Sequence, residues 1–206
     1  MKVLMINGSP HEHGCTYTAL HEVEKKLNEH GIETDILYLG TKPINDCIAC
    51  GKCARDGRCV FNDAVNETLD KLDKYEGIVV GSPVYYAGPS GMVCSFLDRL
   101  FYAGGDRMAG KCAAAVVSCR RGGASAAFDR LNKYFTISSM NVVTSQYWNQ
   151  VHGRKAEDVL RDEEGLQTMR TLGENMAWLM NSISAGRESG AAQPVYEKIA
   201  VTDFIR

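Results

Sequence analysis

Four cysteines within thirteen residues are the clearest chemical feature of this chain of 206 residues, which contains eight cysteines in all. They are Cys47, Cys50, Cys53 and Cys59, and they stand in CIACGKCARDGRC with the spacing C-x2-C-x2-C-x5-C. Three thiolates at C-x2-C-x2-C can reach three corners of an iron–sulfur cubane. Zinc fingers and ribbons usually divide their ligands into two separated pairs, so one compact loop is a less usual zinc site. The spacing leaves three alternatives, which are a cluster, zinc, and free or redox-active thiols.

The composition predicts a globular protein of a reducing compartment. The net charge is −2 and no run of Lys or Arg is present, which argues against nucleic-acid binding and against a basic membrane patch. The opening MKVLMING has too short an apolar run for a signal peptide, and CAAAVVSC is too short to span a bilayer. We therefore expect a cytoplasmic protein without nucleic-acid or membrane partners. Structural disulfides are rare there, which makes them the least favoured role for the clustered cysteines.

Five short apolar runs that alternate with helical patterns predict a parallel sheet. The predicted strands are KVLMI, ETDILYL, GIVVG, CAAAVVS and MNVVTSQ, and the intervening helices begin near residues 16, 62, 91 and 124. Because parallel neighbours need crossover helices, this alternation indicates a three-layer α/β domain with helices on both faces. We place the domain at 1–185, where the last helix runs from Glu163 to Ser184. A C-terminal tail, 186–206, is expected to pack on this or a neighbouring subunit.

The loops that follow the strands decide the function, because ligands of such sheets bind at the C-terminal strand ends. The first loop, NGSPHEHGCT (7–16), opens a helix whose N-terminal N–H groups attract an anion. It lacks both G-x-G-x-x-G and G-K-[ST], so it is neither a dinucleotide fingerprint nor a Walker A loop. A phosphomonoester suits Ser9 and Thr16 as hydroxyl donors, with His11 or His13 at the edge. An ordinary strand-to-helix turn is the alternative.

Two further loops are unusual in the same way. The second loop, GSPVYYAGPSG (81–91), has a main chain restrained by two prolines, and its Tyr85 and Tyr86 offer a surface for a flat ring. The third loop, SCRRGG (118–123), combines glycines that allow close backbone approach with two arginines that could reach an anion. Taken singly, packed tyrosines and a solvated basic pair are the ordinary alternatives.

The order of the three loops resembles that of the flavodoxin-like NADPH-dependent FMN reductases. NGSPHEHGCT, GSPVYYAGPSGMVCSFLDRL and SCRRGG carry the resemblance, which covers about the first three quarters of the chain. It implies a five-stranded parallel sheet in the order 2-1-3-4-5, with FMN at the switch point. By matching positions it implies three sets of FMN contacts, which are Ser9, His11, Cys15, Thr16 and Tyr17 around the phosphate, Pro83, Val84, Tyr85, Tyr86 and Gly88 along the isoalloxazine, and Ser118, Gly122 and Gly123 on its far side.

Two positions depart from that pattern. Family members often have Arg where His11 stands and Asn where Cys15 stands. Neutral imidazole is the common form of histidine at pH 7, so a phosphate held at His11 is expected to bind more weakly or in a pH-sensitive way.

The cysteine loop, 47–59, resembles the compact motif of the iron–sulfur flavoproteins, which are relatives of these reductases. That resemblance implies a [4Fe–4S] cluster on the four cysteines, which relays electrons to or from FMN across a subunit interface. It also implies a homodimer or homotetramer. Gly51 and Gly57 are expected to supply the turns of the loop, and Lys52, Arg55 and Arg58 to offset the negative charge of a thiolate-bound cluster.

The resemblance implies an FMN-dependent oxidoreductase that takes a hydride from NAD(P)H. Electrons then pass to a small acceptor or, through the cluster, to a partner protein. We predict no catalytic acid–base pair, because the chemistry takes place on the flavin N5 and no paired carboxylates flank the three loops. Two alternatives remain from other classes, an iron–sulfur electron carrier reduced by ferredoxin without its own NAD(P)H site, and a non-enzymatic flavin- or zinc-binding sensor.

Overall fold

A parallel sheet with helices on both faces forms the core of the computed structural model, which describes residues 1–197 and 200–202. The strands are β1 (Lys2–Asn7), β2 (Glu33–Tyr38), β3 (Gly77–Tyr85), β4 (Gly88–Pro89), β5 (Cys112–Cys119), β6 (Asn141–Val142) and β7 (Gln150–His152). The helices are α1 (Cys15–Glu29), α2 (Lys52–Asp56), α3 (Ala64–Leu69), α4 (Gly91–Gly104), α5 (Ala124–Ile137), α6 (Ala156–Val159) and α7 (Glu163–Glu188).

The strand order confirms the predicted flavodoxin-like topology. The sheet runs β2-β1-β3-β5 with parallel neighbours throughout, and the fifth position is shared by two short strands. β6 pairs with the start of β5, at Cys112 and Ala113, whereas β7 pairs with its end, from Val117 to Cys119. β4 adds a short antiparallel hairpin to the end of β3.

The fifth strand is where the prediction from sequence was incomplete. MNVVTSQ was expected to form it, but only Asn141 and Val142 of that run pair with β5, and the chain returns to the sheet at Gln150. In the interval the side chain of Asn149 donates to the Ala115 carbonyl (3.0 Å) and accepts from Ser145 Oγ (2.7 Å). Side-chain hydrogen bonds of this kind compete with the strand ladder, and here they replace it.

Two hydrophobic cores hold the three layers together. In β1, Leu4 and Ile6 face the core formed with α3, α4 and α5, while Val3 and Met5 face the core formed with α1 and α7. A strand that is buried on both faces reads as a continuous apolar run, which is why KVLMI shows no alternation. The β1 positions thereby fix which helices lie on which side of the sheet.

The last helix extends beyond the predicted domain boundary at 185, since α7 ends at Glu188. Beyond Glu188 the described residues of the tail form neither helix nor strand, and Val195 and Val201 are exposed. Residues 198–199 and 203–206 of the predicted tail lie outside the described residues. Among the helices of the described chain, none combines the length and the apolar character that a bilayer crossing requires.

We predict that Gly8→Ala destabilises the fold, because Gly8 lies where β1 leaves the sheet beneath α4. An added Cβ would lie 2.6 Å from Val93 Cβ and 3.1 Å from the Gly81 carbonyl oxygen. Overpacking of this kind costs about 1–3 kcal/mol of unfolding free energy, which urea titration of the flavin-free chain would measure. The matched control is Gly91→Ala in the first turn of α4, where a Cβ meets nothing within 4 Å and helix propensity favours Ala. Equal stability of the two variants would contradict this packing account.

Candidate functional site

The three loops lie together at one edge of the sheet. Asn7 pairs with Gly81 at the ends of β1 and β3, and Pro83 pairs with Ser118 at the ends of β3 and β5. Two hydrogen bonds join the loops directly, from Gly8 N to the Gly81 carbonyl (2.9 Å) and between the Thr16 and Ser118 hydroxyls (2.9 Å). The predicted phosphate side and the predicted far side of the flavin are therefore in contact through buried hydroxyl groups.

Two helices that begin at these loops have no capping side chain. α1 begins after Gly14 and α5 after Gly123, neither N-cap side chain makes a hydrogen bond, and neither first turn contains an acidic residue. The other two long helices, α4 and α7, are capped by the side chains of Ser90 and Asp162. The first N–H groups of a helix need an acceptor, so α1 and α5 present a partial positive charge to an anion at this edge.

The first loop is preformed by its own hydrogen bonds. Ser9 N donates to Asn7 Oδ1 (3.1 Å), His11 N donates to Ser9 Oγ (3.1 Å), and Asn7 Nδ2 donates to the Glu12 carbonyl (2.9 Å). Ser9 is buried whereas His11 is exposed. The hydroxyl of Ser9 thus shapes the loop, and the imidazole of His11 stands at its outer edge.

Cys15 and Tyr17 lie in the first turn of α1. Burial raises the pKa of the Cys15 thiol, and the nearby carboxylates of Asp158 and Glu157 raise it further, so this cysteine is a neutral group. The ring of Tyr17 lies between His13, edge-on at 4.7 Å, and His21, stacked at 5.6 Å between ring centroids. The Cys15 thiol therefore adds no negative charge at the α1 end of the site.

The tip of the β3–β4 hairpin has a strained backbone. Tyr86 and Ala87 have φ angles of 49° and 59°, a region that costs non-glycine residues of order 1 kcal/mol or more each. Tyr86 is fully exposed and Tyr85 is about half exposed (47%). Gly123, at φ 86°, packs so close that a Cβ there would lie 2.8 Å from Ala87 Cα and 3.2 Å from Val84 Cγ1. The second and third loops are thus held against each other, with the two tyrosines open to solvent.

The four cysteines of the cysteine loop line one cavity of about 200 Å³. Its other walls are mostly apolar, from side chains such as Ile48, Val60 and Phe61, with Arg99 and Tyr102 contributed by α4. Gly51 and Gly57 have φ angles of 69° and 64° and bound the short helix α2, so both supply left-handed turns as predicted. The loop thus lines one cavity with its four thiols, and its own basic side chains are not part of that lining.

The three basic side chains that were predicted to offset the charge of a cluster have carboxylate partners. The half-buried Lys52 and the exposed Arg55 pair with Asp56, and the exposed Arg58 pairs with Asp70. These cations find carboxylates on the outer surface of the loop, where both partners keep their contact with water. Among the described residues, Arg99 is the arginine whose side chain donates a hydrogen bond to a cysteine sulfur.

Arg99 is buried beneath the cysteine loop with all five of its N–H donors used. Nε donates to Cys59 Sγ (3.1 Å), and the guanidinium grips the Asp63 carboxylate through Nη1 (2.7 Å) and Nη2 (2.8 Å). The remaining two donors reach the carbonyls of Asn45 (3.1 Å) and Phe61 (3.3 Å). Burial disfavours the charge, but the hydrogen bonds to Asp63 and Cys59 outweigh it and raise the pKa of Arg99, so the group is a permanent cation.

A buried amide completes the hold on Cys59. Asn66 Oδ1 accepts from Cys59 N (2.9 Å), and Asn66 Nδ2 donates to the carbonyls of Cys59 (3.0 Å) and Phe61 (3.0 Å). Sequence reasoning named neither Arg99 nor Asn66 as part of the site. The signal that could have found Arg99 is a charged residue close to the apolar stripe of Phe96 and Leu100 on a helix that is otherwise buried.

Helix α4 connects the cysteine loop to the loop edge of the sheet. Its N-cap, Ser90, donates from Oγ to the Gly8 carbonyl (2.7 Å) in the first loop. Arg99 lies nine residues further along, which is about 14 Å of helix at 1.5 Å per residue. One rigid element therefore sets the separation between the predicted flavin edge and the cysteine cavity.

Across residues 1–197 and 200–202, no three side chains of Cys, His, Asp or Glu converge at the spacing that one ion demands. A tetrahedral zinc site would place every sulfur about 2.3 Å from one point.

Comparison with known proteins agrees with this geometry. A model of the family described as NADPH-dependent FMN reductase matches residues 1–154. An iron–sulfur flavoprotein of Methanocaldococcus jannaschii is 34% identical over 193 residues, covering 89% of this chain and 99% of the relative. Another, from Methanosarcina thermophila, is 25% identical over 193 residues, covering 91% of this chain and 100% of the relative. The structure of a flavodoxin from the domain Archaea superposes with a TM-score of 0.61 at 16% identity, covering 88% of this chain and 99% of that chain.

The family match spans the first, second and third loops and the cysteine loop, and the strand order is the one that the resemblance implied. The chain is an FMN flavoprotein oxidoreductase, and it belongs to the NADPH-dependent FMN reductase family.

Proposed function

We propose that this protein takes electrons from NAD(P)H through FMN and passes them to a small acceptor or, through a [4Fe–4S] cluster on Cys47, Cys50, Cys53 and Cys59, to a partner protein. The observation that carries the cluster is the convergence of these four thiols on one largely apolar cavity. When bound, FMN supplies the exchange between a two-electron donor and one-electron acceptors, and the cluster supplies the one-electron step. We further propose a homodimer or homotetramer in the cytoplasm.

The loop edge suits the phosphate and ring of FMN. The uncapped terminus of α1, together with the buried hydroxyls of Ser9, Thr16 and Ser118, offers donors to a phosphate without a competing carboxylate in the first turn. The hairpin, held by Gly123, presents backbone groups and the half-exposed ring of Tyr85 to a flat ring system. These residues bind and orient the cofactor, and its exposed side is left open to a nicotinamide or an acceptor.

The cysteine cavity suits a cluster better than zinc. Its four thiols line one cavity of about 200 Å³, its other lining side chains are mostly apolar, and a buried cation touches one sulfur. A thiolate cluster is an anion, so a permanent cation among apolar walls stabilises it electrostatically. The relatives named iron–sulfur flavoproteins support the same assignment for this chain.

The cysteines provide the first prediction. We expect Cys53→Ala to lose the cluster absorbance after anaerobic reconstitution while it keeps FMN, because the cluster would lack one of its four ligands. Cys94→Ala is the matched control, since Cys94 is a partly buried cysteine of α4 outside the loop and should keep both cofactors. Iron, sulfide and flavin analysis measures both. Full iron and sulfide in Cys53→Ala would contradict the ligand assignment.

The first loop provides the second prediction. Thr16→Val removes a buried hydroxyl that meets Ser118 at the predicted phosphate site, and a hydrogen bond to a charged group is worth about 1.5–3 kcal/mol. We therefore expect the Kd for FMN to rise roughly 10- to 100-fold, measured by quenching of flavin fluorescence. Thr18→Val is the control, because that hydroxyl is occupied by the Gly14 carbonyl (3.1 Å). A similar Kd in both variants would show that Thr16 does not contact the phosphate.

The electron donor is tested by stopped-flow reduction of the holoprotein. We expect NADPH or NADH to bleach the flavin absorbance, with a rate constant larger than the steady-state turnover rate of this protein. If only reduced ferredoxin bleaches the flavin, the protein is an electron carrier without an NAD(P)H site. If neither reduces it and the protein carries zinc, it is a flavin- or zinc-binding sensor.

A further inference from the structure

We propose that Arg99 is the positioning residue for Cys59 and raises the reduction potential of the cluster that the cysteine loop binds. This inference rests on the proposed function, since it concerns the same cluster. It comes from a cation that the fold places against a cysteine sulfur, with Nε 3.1 Å from Cys59 Sγ and the side chain only 1% exposed.

The burial of Arg99 needs an explanation beyond stability. A buried guanidinium is costly to desolvate, and a well-packed apolar residue at such a site is often as stable or more so. α4 supplies apolar neighbours at Phe96 and Leu100, so a methionine or leucine would continue the same stripe. The position of Arg99 differs from its apolar neighbours in the partners that it meets. These are the Cys59 sulfur, the Asp63 carboxylate and the backbone carbonyls of Asn45 and Phe61 that flank the cysteine loop.

The partners of Arg99 bracket the cysteines. The Asn45 carbonyl lies two residues before the first cysteine of the loop, and the Phe61 carbonyl lies two residues after the last one. The guanidinium also lies 5.0 Å above the Phe61 ring. Arg99 thus attaches both ends of the loop to α4. This attachment does not use the ion pairs that Lys52, Arg55 and Arg58 form on the loop surface.

The sign of the electrostatic effect follows from the charge of the group. Reduction adds an electron to a cluster that is already an anion, so a nearby cation and an N–H···S bond to a ligand favour the reduced form. Salt screens a buried cation little, unlike the exposed cations Arg55 and Arg58. Asp63 offsets part of the Arg99 charge, because its carboxylate lies 2.7 and 2.8 Å from the guanidinium nitrogens.

Three variants of the holoprotein separate this effect from loss of structure. Arg99→Gln removes the cation, whereas Asp63→Asn leaves the Arg99 donor in place and removes the opposing charge. Asparagine also preserves the N-cap of α3, where Asp63 accepts from Val65 N (3.1 Å). Arg107→Gln is the matched control, since Arg107 grips Asp73 and the Leu69 carbonyl in the same forked way without touching a cysteine.

The readout is the midpoint potential of the cluster in an anaerobic redox titration followed by electron paramagnetic resonance, with the FMN potential as internal reference. We expect a lower cluster potential in Arg99→Gln, a higher one in Asp63→Asn and no change in Arg107→Gln. An unchanged potential in Arg99→Gln, or a shift of the same sign in the first two variants, overturns the proposal. If Arg99→Gln does not fold, the sign of the Asp63→Asn shift decides alone.

A cluster-free measurement tests the positioning role separately. Trypsin cleaves after Lys52, Arg55 and Arg58, and we expect the apo chain of Arg99→Gln to be cut within this loop about fivefold faster than wild type or Arg107→Gln, because the loop loses its anchor. Equal cleavage rates overturn the positioning role. Failure of the wild-type chain to assemble any cluster would instead refute the proposed function, and the cleavage comparison would still be informative about Arg99.

Discussion

The buried guanidinium of Arg99 is the contact through which the cysteine loop becomes part of the domain. The loop contains only a five-residue helix and has few buried side chains of its own, so its conformation depends on what it is attached to. Arg99 and Asn66 supply that attachment with hydrogen bonds to backbone and sulfur on both sides of Cys59. Because Arg99 belongs to α4, the loop inherits the position of a helix that is packed in the main core.

The same helix begins at the loop edge of the sheet, so it links the predicted flavin site to the cysteine loop. Parallel strands bring their C-terminal ends to one edge, where the first and third loops meet through Thr16 and Ser118. Ser90 ties the N-terminus of α4 to the first loop, and Arg99 ties its third turn to the cysteines. The helix α4 thus connects the loop edge of the sheet, which is suited to bind an anion, to the cavity lined by thiols.

The structural features that depend on local sequence pattern were predicted correctly. The first four strands, the helices of both layers, the αL glycines of the cysteine loop and the grouping of the three loops all follow from periodicity, turn chemistry and the parallel topology. Prediction from the sequence was incomplete where a long-range contact outweighs the local pattern. The side chain of Asn149 interrupts the expected fifth strand, and Arg99, forty residues from Cys59, replaces the neighbouring Lys52, Arg55 and Arg58 as the cation at the thiols.

The central claim is that the cysteine cavity holds an iron–sulfur cluster beside FMN. It is tested most directly by purifying the wild-type protein without oxygen and measuring iron, acid-labile sulfide, zinc and flavin per chain, together with the absorption spectrum. The account predicts one FMN with about four iron and four sulfide per chain, and a broad iron–sulfur absorbance beneath the flavin bands. Flavin with stoichiometric zinc, or flavin with four free thiols in the loop and no iron, would contradict it.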